Sequence, residues 1–398
     1  MAQLFAALRL RQAIIFRWTL LSMPLLDELI SGFPVVGLPL LRDQLGLSYD
    51  QVGLLFSVGA LSGMVIEPFI NILSDRTSKR YWVIGGLLAL SASFVLAGSS
   101  NNFIVLLAAF TLMFPANSAG SGLSEATLID ALPQESMQTM ARWTLMASIG
   151  DLLSPLTVAA IITLPLVLPT WTTLCWLAAA LWLGGALFVW PQRFPSKTSS
   201  RHKEDTPAVS ALAGLREALG NPLLLRWAVL SIIPSMMDEV FVGFAALYLR
   251  DVLHAGQAMI SLVIAIQMSG SLLSLLALRP LVKLIAPHRL LLLQALLVLV
   301  GVSTLLSLHS IWVAMLALFI TSVGAVGWYP IAKAAAYAQL PGRSGTVRAV
   351  VSLGAPFKVA LPAIVGFVSG RFGVLAGIGL LGLAPVLILL LVPYKHKG

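Results

Sequence analysis

The 398-residue chain is 58% hydrophobic and only 10% charged, with a mean hydropathy of +0.94. A soluble domain carries about 25% charged residues, so this composition excludes a water-soluble enzyme or binding module and predicts an all-α integral membrane protein. The net charge of +9 invites a nucleic-acid reading, but the placement of the basic residues removes it.

A spanning helix needs about 20 apolar residues. Twelve such runs are predicted, at 17–41, 51–73, 81–99, 103–130, 141–166, 169–190, 223–248, 256–278, 288–308, 311–338, 346–369 and 372–393. They are continuous apolar runs rather than ten-residue alternations, which sets aside a transmembrane barrel. The first run is long and has no small-residue cleavage site behind it, so it reads as a span and not as a secretory leader. With the N-terminus in the cytoplasm, twenty Lys and Arg fall at cytoplasmic ends and three (Arg42, Arg250 and Arg371) fall outside. That is the positive-inside bias. The expected protein is a multi-pass monomer of the plasma membrane with both termini cytoplasmic, its partners being the lipid bilayer, a small-molecule substrate and protons, with no nucleic acid. Cys175 is the only cysteine, which excludes an intrachain disulfide and argues against a thiol-ligated metal. No metal or cofactor is expected.

The polar segment QRFPSKTSSRHKEDTPAVS (192–210) reads as a linker. It gives an N-terminal six-helix bundle at 1–191, a cytoplasmic linker at 192–222 and a C-terminal six-helix bundle at 223–398. The halves repeat each other. SMPLLDELISGF around Asp27 and Glu28 parallels SMMDEVFVGF around Asp238 and Glu239, and each is followed by an Arg-Asp, Arg42-Asp43 and Arg250-Asp251. ALP (131–133) parallels QLP (339–341), and Asp151-x-x-x-Pro155 parallels Lys358-x-x-x-Pro362. Six-helix repeats about an axis along the membrane normal are a known transporter architecture.

Two local motifs sharpen this. NILSDRTSKRYW (71–82) resembles the G-x-L-x-D-R-x-G-R-K loop of the Major Facilitator Superfamily; Asp75, Arg76, Lys79 and Arg80 match, and Asn71 and Ser78 stand where glycines are usual. Gly150-Asp-Leu-Leu-Ser154-Pro155 resembles the G-x-x-x-G-P motif of that family's antiporters, with Ser154 in place of a glycine. The resemblance covers nearly the whole chain. It implies a fold of twelve transmembrane helices in two pseudo-symmetric six-helix bundles, with spans 1, 4, 7 and 10 lining a cavity. It also implies that Asp75, Arg76, Lys79 and Arg80, with Arg142, act as a conformational latch.

Eight of the sixteen acids fall inside the predicted spans: Asp27, Glu28, Glu67, Glu125, Asp130, Asp151, Asp238 and Glu239. A charge at the bilayer centre costs about 3 kcal/mol, so eight facing lipid would cost on the order of 24 kcal/mol. These groups must instead face water, pair, or be protonated. Adjacent helical residues point about 100° apart, so one member of each acidic pair is expected to face the cavity and the other a neighbouring helix. Asp27, Glu28, Glu125, Asp151, Asp238, Glu239, Lys333 and Lys358 are the candidate proton-coupling and substrate groups, with Trp328 and Tyr329 as an aromatic wall. Asp151 and Lys358 are either an ion pair or two independently used groups, and Asp130 reads as a cap or partner of Arg142.

No G-x-x-x-x-G-K-[ST] and no H-E-x-x-H occurs, which leaves neither ATP hydrolysis nor zincin chemistry. The five histidines fall in loops or at span ends. An ion gradient remains as the energy source, and a cavity carboxylate is the natural coupling group. The expected function is proton-coupled secondary transport of a small organic solute, by antiport in the export direction. Proton-symport uptake and divalent-cation export are the alternatives.

Overall fold

A computed structural model describes residues 2–131, 136–165, 167–192, 194, 216, 218–340, 347 and 350–393. Among them every regular element is a helix, and twelve helical segments are long and apolar enough to cross a membrane. The chain divides into two compact units, Met1–Thr198 and Ser199–Gly398. The N-terminal unit holds span 1 (Ile14–Val36), span 2 (Tyr49–Asn71), span 3 (Lys79–Ser99), span 4 (Phe103–Leu128), span 5 (Arg142–Ile162) and span 6 (Thr170–Val189). The C-terminal unit holds span 7 (Pro222–Asp251), span 8 (Gln257–Leu278), span 9 (Pro287–Ser307), span 10 (Ile311–Ala338), span 11 (Val350–Phe372) and span 12 (Val374–Leu391). Most of the linker predicted at 192–222, the ends of the ALP and QLP motifs and the basic residues at 343, 348, 395 and 397 lie outside the described residues.

Side-chain caps start several spans. Ser48 and Gln51 form a reciprocal box, Gln51 N–H donating to Ser48 Oγ at 3.2 Å and Ser48 N–H to Gln51 Oε1 at 2.9 Å. Asn102 caps span 4 through Ile104 N–H at 2.8 Å, and Asn221 caps span 7 through Leu223 and Leu224 N–H at 3.1 Å each. These bonds occupy amide donors that a helix start leaves without intrahelical partners. Span 1 ends earlier than its hydropathy predicts. The chain turns at Gly37 and continues as a separate short helix, Leu38–Leu45, because Pro39 has no N–H to extend the first ladder.

Five spans are interrupted, span 11 by a turn at Leu353 and Gly354 ahead of its Ala355–Phe372 helix. In span 4 an α-helix ends at Asn117, one wide turn with π-helical bonding follows at Ser118–Gly122, and the helix resumes at Leu123. Pro115 has no N–H for the Thr111 carbonyl one turn before it. The Ser62 hydroxyl of span 2 donates to that carbonyl at 2.7 Å. Span 10 breaks between Ala325 and Trp328, and there the Ser274 hydroxyl of span 8 donates to the Val323 carbonyl at 2.7 Å. Overlaying the two units on their ALP and QLP motifs puts this second repair one helical turn further along than the first. Span 7 runs as Pro222–Ile232, tightens into a 3₁₀ stretch at Ile233–Met237 over Pro234, and starts again at Glu239. Span 12 divides at Gly382.

Small residues set the packing of the first unit. A Cβ on Gly150 of span 5 would lie 2.5 Å from the Leu25 carbonyl and 3.0 Å from Glu28 Cβ, and one on Gly32 of span 1 would lie 2.3 Å from Ser154 Oγ. Spans 1 and 5 therefore meet backbone to backbone. Gly86 of span 3 does the same for the wide turn of span 4, where its Cβ would come within 2.3 Å of Gly120 N. Gly184, by contrast, faces open space and is exposed. Gly150→Leu should destabilise the folded protein by about 1–3 kcal/mol through overpacking, lowering the thermal unfolding midpoint in detergent, while Gly184→Leu should leave the midpoint within experimental scatter.

Candidate functional site

In the N-terminal unit the site begins with Asp27 on span 1. Its carboxylate is hydrogen-bonded by the side chains of Ser121 and Asn117 on span 4. Asn117 is the last residue before the wide turn and Ser121 lies within it, so the interruption aims both groups at one acid. Such turns occur frequently at functional positions. Asn117 Oδ1 is buried and makes no hydrogen bond among the described residues. Glu28, the other member of the pair, turns elsewhere. It accepts from Ser31 Oγ at 3.4 Å, and its Cβ faces Gly150 of span 5. Glu125 lies one turn beyond Ser121 on span 4, half-buried, and Asp151 is half-buried on span 5; each has an interaction partner.

The C-terminal unit carries a different chemistry. Asp238 sits at the break in span 7, at the start of the Glu239–Asp251 helix, and both Asp238 and Glu239 are exposed. This second acidic pair is thus not on a continuous helix, as its hydropathy alone suggests. Asp238 interacts electrostatically with Lys358 of span 11. Lys333 of span 10 donates to the Tyr329 hydroxyl at 2.7 Å, and its Nζ lies 4.8 Å from the centre of that ring. Lys358 Nζ lies 5.8 Å from the same ring centre, so one tyrosine gathers both intramembrane lysines by cation–π attraction. Exposed charge inside a span faces water and not hydrocarbon.

Trp328 does not belong to the aromatic wall. It is fully buried, whereas Tyr329 is 41% exposed. The helix starts afresh at Trp328, and the roughly 100° between neighbours sends the indole into the bundle and the phenol outward.

The family model of the Major Facilitator Superfamily matches residues 25–238, more than half of the chain. The chain belongs to this superfamily. It is a multi-pass membrane transporter and not an enzyme. Its fold resembles that of a bacterial homologue to the human lysosomal transporter Spinster, solved in an inward-facing and unoccupied conformation, with a TM-score of 0.75 at 15% identity over 96% of this chain and 95% of that one. It also resembles the nucleoside transporter NupG, with a TM-score of 0.75 at 11% identity over 96% of this chain and all of that one (100%). A curated relative, the quinolone resistance protein NorA of Staphylococcus aureus, is 36% identical over 76 residues, 19% of this chain. The match spans only about a fifth (20%) of that relative's length.

The loop residues of the superfamily motif separate in the structure. Arg80 donates to the Trp190 carbonyl at the C-terminal end of span 6, where helical carbonyls and the helix dipole favour a cation. Lys79 has an interaction partner and Arg142 is exposed. The side chains of Asp75, Arg76 and Asp130 lie outside the described residues.

The exposed and buried faces can be read chemically. The native Cys175 is buried, 1% exposed, so it offers a quiet background for single-cysteine substitutions. Cysteines at Asp238, Tyr329 and Lys358 should react with a charged, membrane-impermeant thiol reagent in purified protein. A cysteine at Trp328 should react at least about tenfold more slowly, since thiolate formation needs water.

Proposed function

We propose that this transporter exports a small organic solute in exchange for protons, by alternating access. The observation that carries the reading is the pair of neutral partners on Asp27. A hydroxyl both donates and accepts, and an amide carries an acceptor oxygen beside its donor. Ser121 and Asn117 can therefore satisfy Asp27 whether it is ionised or protonated, Ser121 by reversing its O–H and Asn117 by turning its unpaired Oδ1 towards the acid. A carboxylate held by a guanidinium would lose an ion pair on protonation. Asp27 gives up no ion pair to these partners, which suits a group that must load and release a proton in every cycle.

Export is supported by two weaker observations. The Gly150–Pro155 sequence resembles the antiporter motif, and Gly150 and Ser154 sit at the closest approach of spans 1 and 5, beside the Asp27–Glu28 pair. The relative NorA is named for quinolone resistance, and a carrier confers resistance by moving its compound outward. The remaining polar residues of the spans (Glu28, Glu125, Asp151, Asp238, Glu239, Tyr329, Lys333 and Lys358) supply substrate contacts and shape the electrostatics around them. Lys79 and Arg80, with Asp75, Arg76 and Arg142, bias the conformational equilibrium without touching cargo.

In proteoliposomes under an imposed pH gradient, Asp27→Asn should reduce solute accumulation to the passive leak while solute binding persists and no longer varies with pH. Accumulation at the wild-type level by the folded variant overturns the assignment. Both termini are proposed to lie in the cytoplasm of cells bounded by a plasma membrane. Epitope tags at residues 1 and 398 should be reached by antibody only after permeabilisation, and labelling of either tag on intact cells reverses the topology.

A further inference from the structure

The two units carry the same acidic pair on their first spans and opposite charges at two other matching positions. Overlaying ALP on QLP sets Glu125 on Lys333, and the span 5 and span 11 motifs set Asp151 on Lys358. In the C-terminal unit both lysines meet at one ring, Lys333 hydrogen-bonded to the Tyr329 hydroxyl at 2.7 Å and Lys358 5.8 Å from the ring centre. The same overlay sets Tyr329 on Ser121, the residue that contacts Asp27 in the first unit. The corresponding position thus meets a carboxylate in one unit and two ammonium groups in the other.

The donors around Tyr329 converge. Its oxygen accepts from Lys333, so its own O–H is left as a donor, and each ammonium presents three N–H groups. Tyr329 and Lys358 are exposed and Lys333 is half-buried, so a solute in the water that reaches these spans reaches all three. With Asp238 against Lys358, the group has formally two positive charges and one negative. Lys358 already acts electrostatically on one carboxylate, that of Asp238.

We propose that Tyr329, Lys333 and Lys358 form a carboxylate-binding subsite, and that the transported solute bears a carboxylate which competes with Asp238 for Lys358. This inference deepens the transport reading above and rests on it for the solute's movement, though not for its binding. When the solute's carboxylate takes Lys358, Asp238 loses its cation, so binding changes the charge environment at the break in span 7. That break is where the backbone is already interrupted and so is the place in the span best able to respond.

The test uses the purified full-length chain and a panel of monocarboxylates, each beside its own primary amide, ranked by ligand-induced thermal shift and then titrated. At least one acid should bind about tenfold or more tightly than its amide, as a hydrogen-bonded charge does. Lys333→Gln and Lys358→Gln should each erase that preference, and the Arg replacements should keep most of it. Tyr329→Phe, which removes only the hydroxyl and keeps the ring and the charge, should lower the preference about threefold or more, so the proposal stays open to refutation even if a Gln variant does not fold. Asp238→Asn should tighten binding of the acid by removing its competitor. Acids that bind no better than their amides overturn the subsite, as does a preference that survives in the lysine and Tyr329 variants. An Asp238→Asn variant that binds the acid more weakly overturns the competition. Flux separates this inference from the reading beneath it. Acid-selective binding with no pH-driven flux removes proton coupling and supports the subsite. PH-driven flux of solutes without a carboxylate, undisturbed by the lysine variants, removes the subsite and supports the coupling.

Discussion

Inside hydrocarbon the backbone has no water to bond, so each amide and carbonyl must find its partner within the protein. An unbroken helix meets this requirement by itself, and that is why the hydropathy of this chain resolves into twelve helical segments. A break in a helix violates it locally, and the carbonyl it frees has to be satisfied by another element. Ser62 does this for Thr111 in span 4, and Ser274 does it for Val323 in span 10. The repairs come from the second span of each unit and bond the fourth, so the same device stands twice in a chain whose sequence also repeats. Breaks that are repaired this way can persist, and Asn117, Ser121 and Tyr329 lie at or beside the two of them.

The wide turn at Ser118–Gly122 lets Asn117 and Ser121 reach the same carboxylate. Gly86 makes room for that turn, and no side chain could stand in its place without meeting the Gly120 backbone. In span 7 the 3₁₀ stretch ends at Asp238, which puts an acid at the start of a helix, where the dipole and the amide donors of the first turn favour negative charge. In span 10 the restart at Trp328 divides two adjacent aromatic residues between bundle interior and water. The interruptions therefore decide which of two neighbouring side chains becomes chemically available.

This explains what could be read from the sequence. Span number, approximate span ends and the repeat follow from hydropathy and local motifs, since burial in lipid leaves a strong and local mark on composition. The acidic residues and lysines inside the spans were equally visible, because a charge in an apolar run is costly wherever it points. Asn117 and Ser121 do not stand out in the sequence, because neutral polar residues are ordinary in helices. A signal existed in the spacing of Asn117, Ser121 and Glu125, four residues apart along one face, next to a proline and two glycines. A hydropathy profile shows no restart of the helix, so it does not separate the buried Trp328 from the exposed Tyr329. The contact of Arg80 with the Trp190 carbonyl joins residues far apart in sequence, and no local pattern predicts it. Gly37 ends span 1 early for a reason that was present in the sequence, the proline two residues later.

The repeat makes the divergence of the two units informative. Both use serine-repaired breaks, both carry Asp-Glu on the first span, and both place a polar residue of the fourth span beside a charge. With so much of the scaffold held in common, the contrast between them resides in side chains: Ser121, Glu125 and Asp151 on one side against Tyr329, Lys333 and Lys358 on the other. A requirement of folding or insertion alone would act on both units in the same sense, since both meet the same hydrocarbon. Opposite charges at matching positions instead answer something that differs between the units. An acid that two neutral partners can hold in either protonation state suits a proton, and a tyrosine between two ammonium groups suits an anion. On this argument the duplicated fold supplies the positions, and the chemistry of each unit follows from three side chains placed around a broken helix.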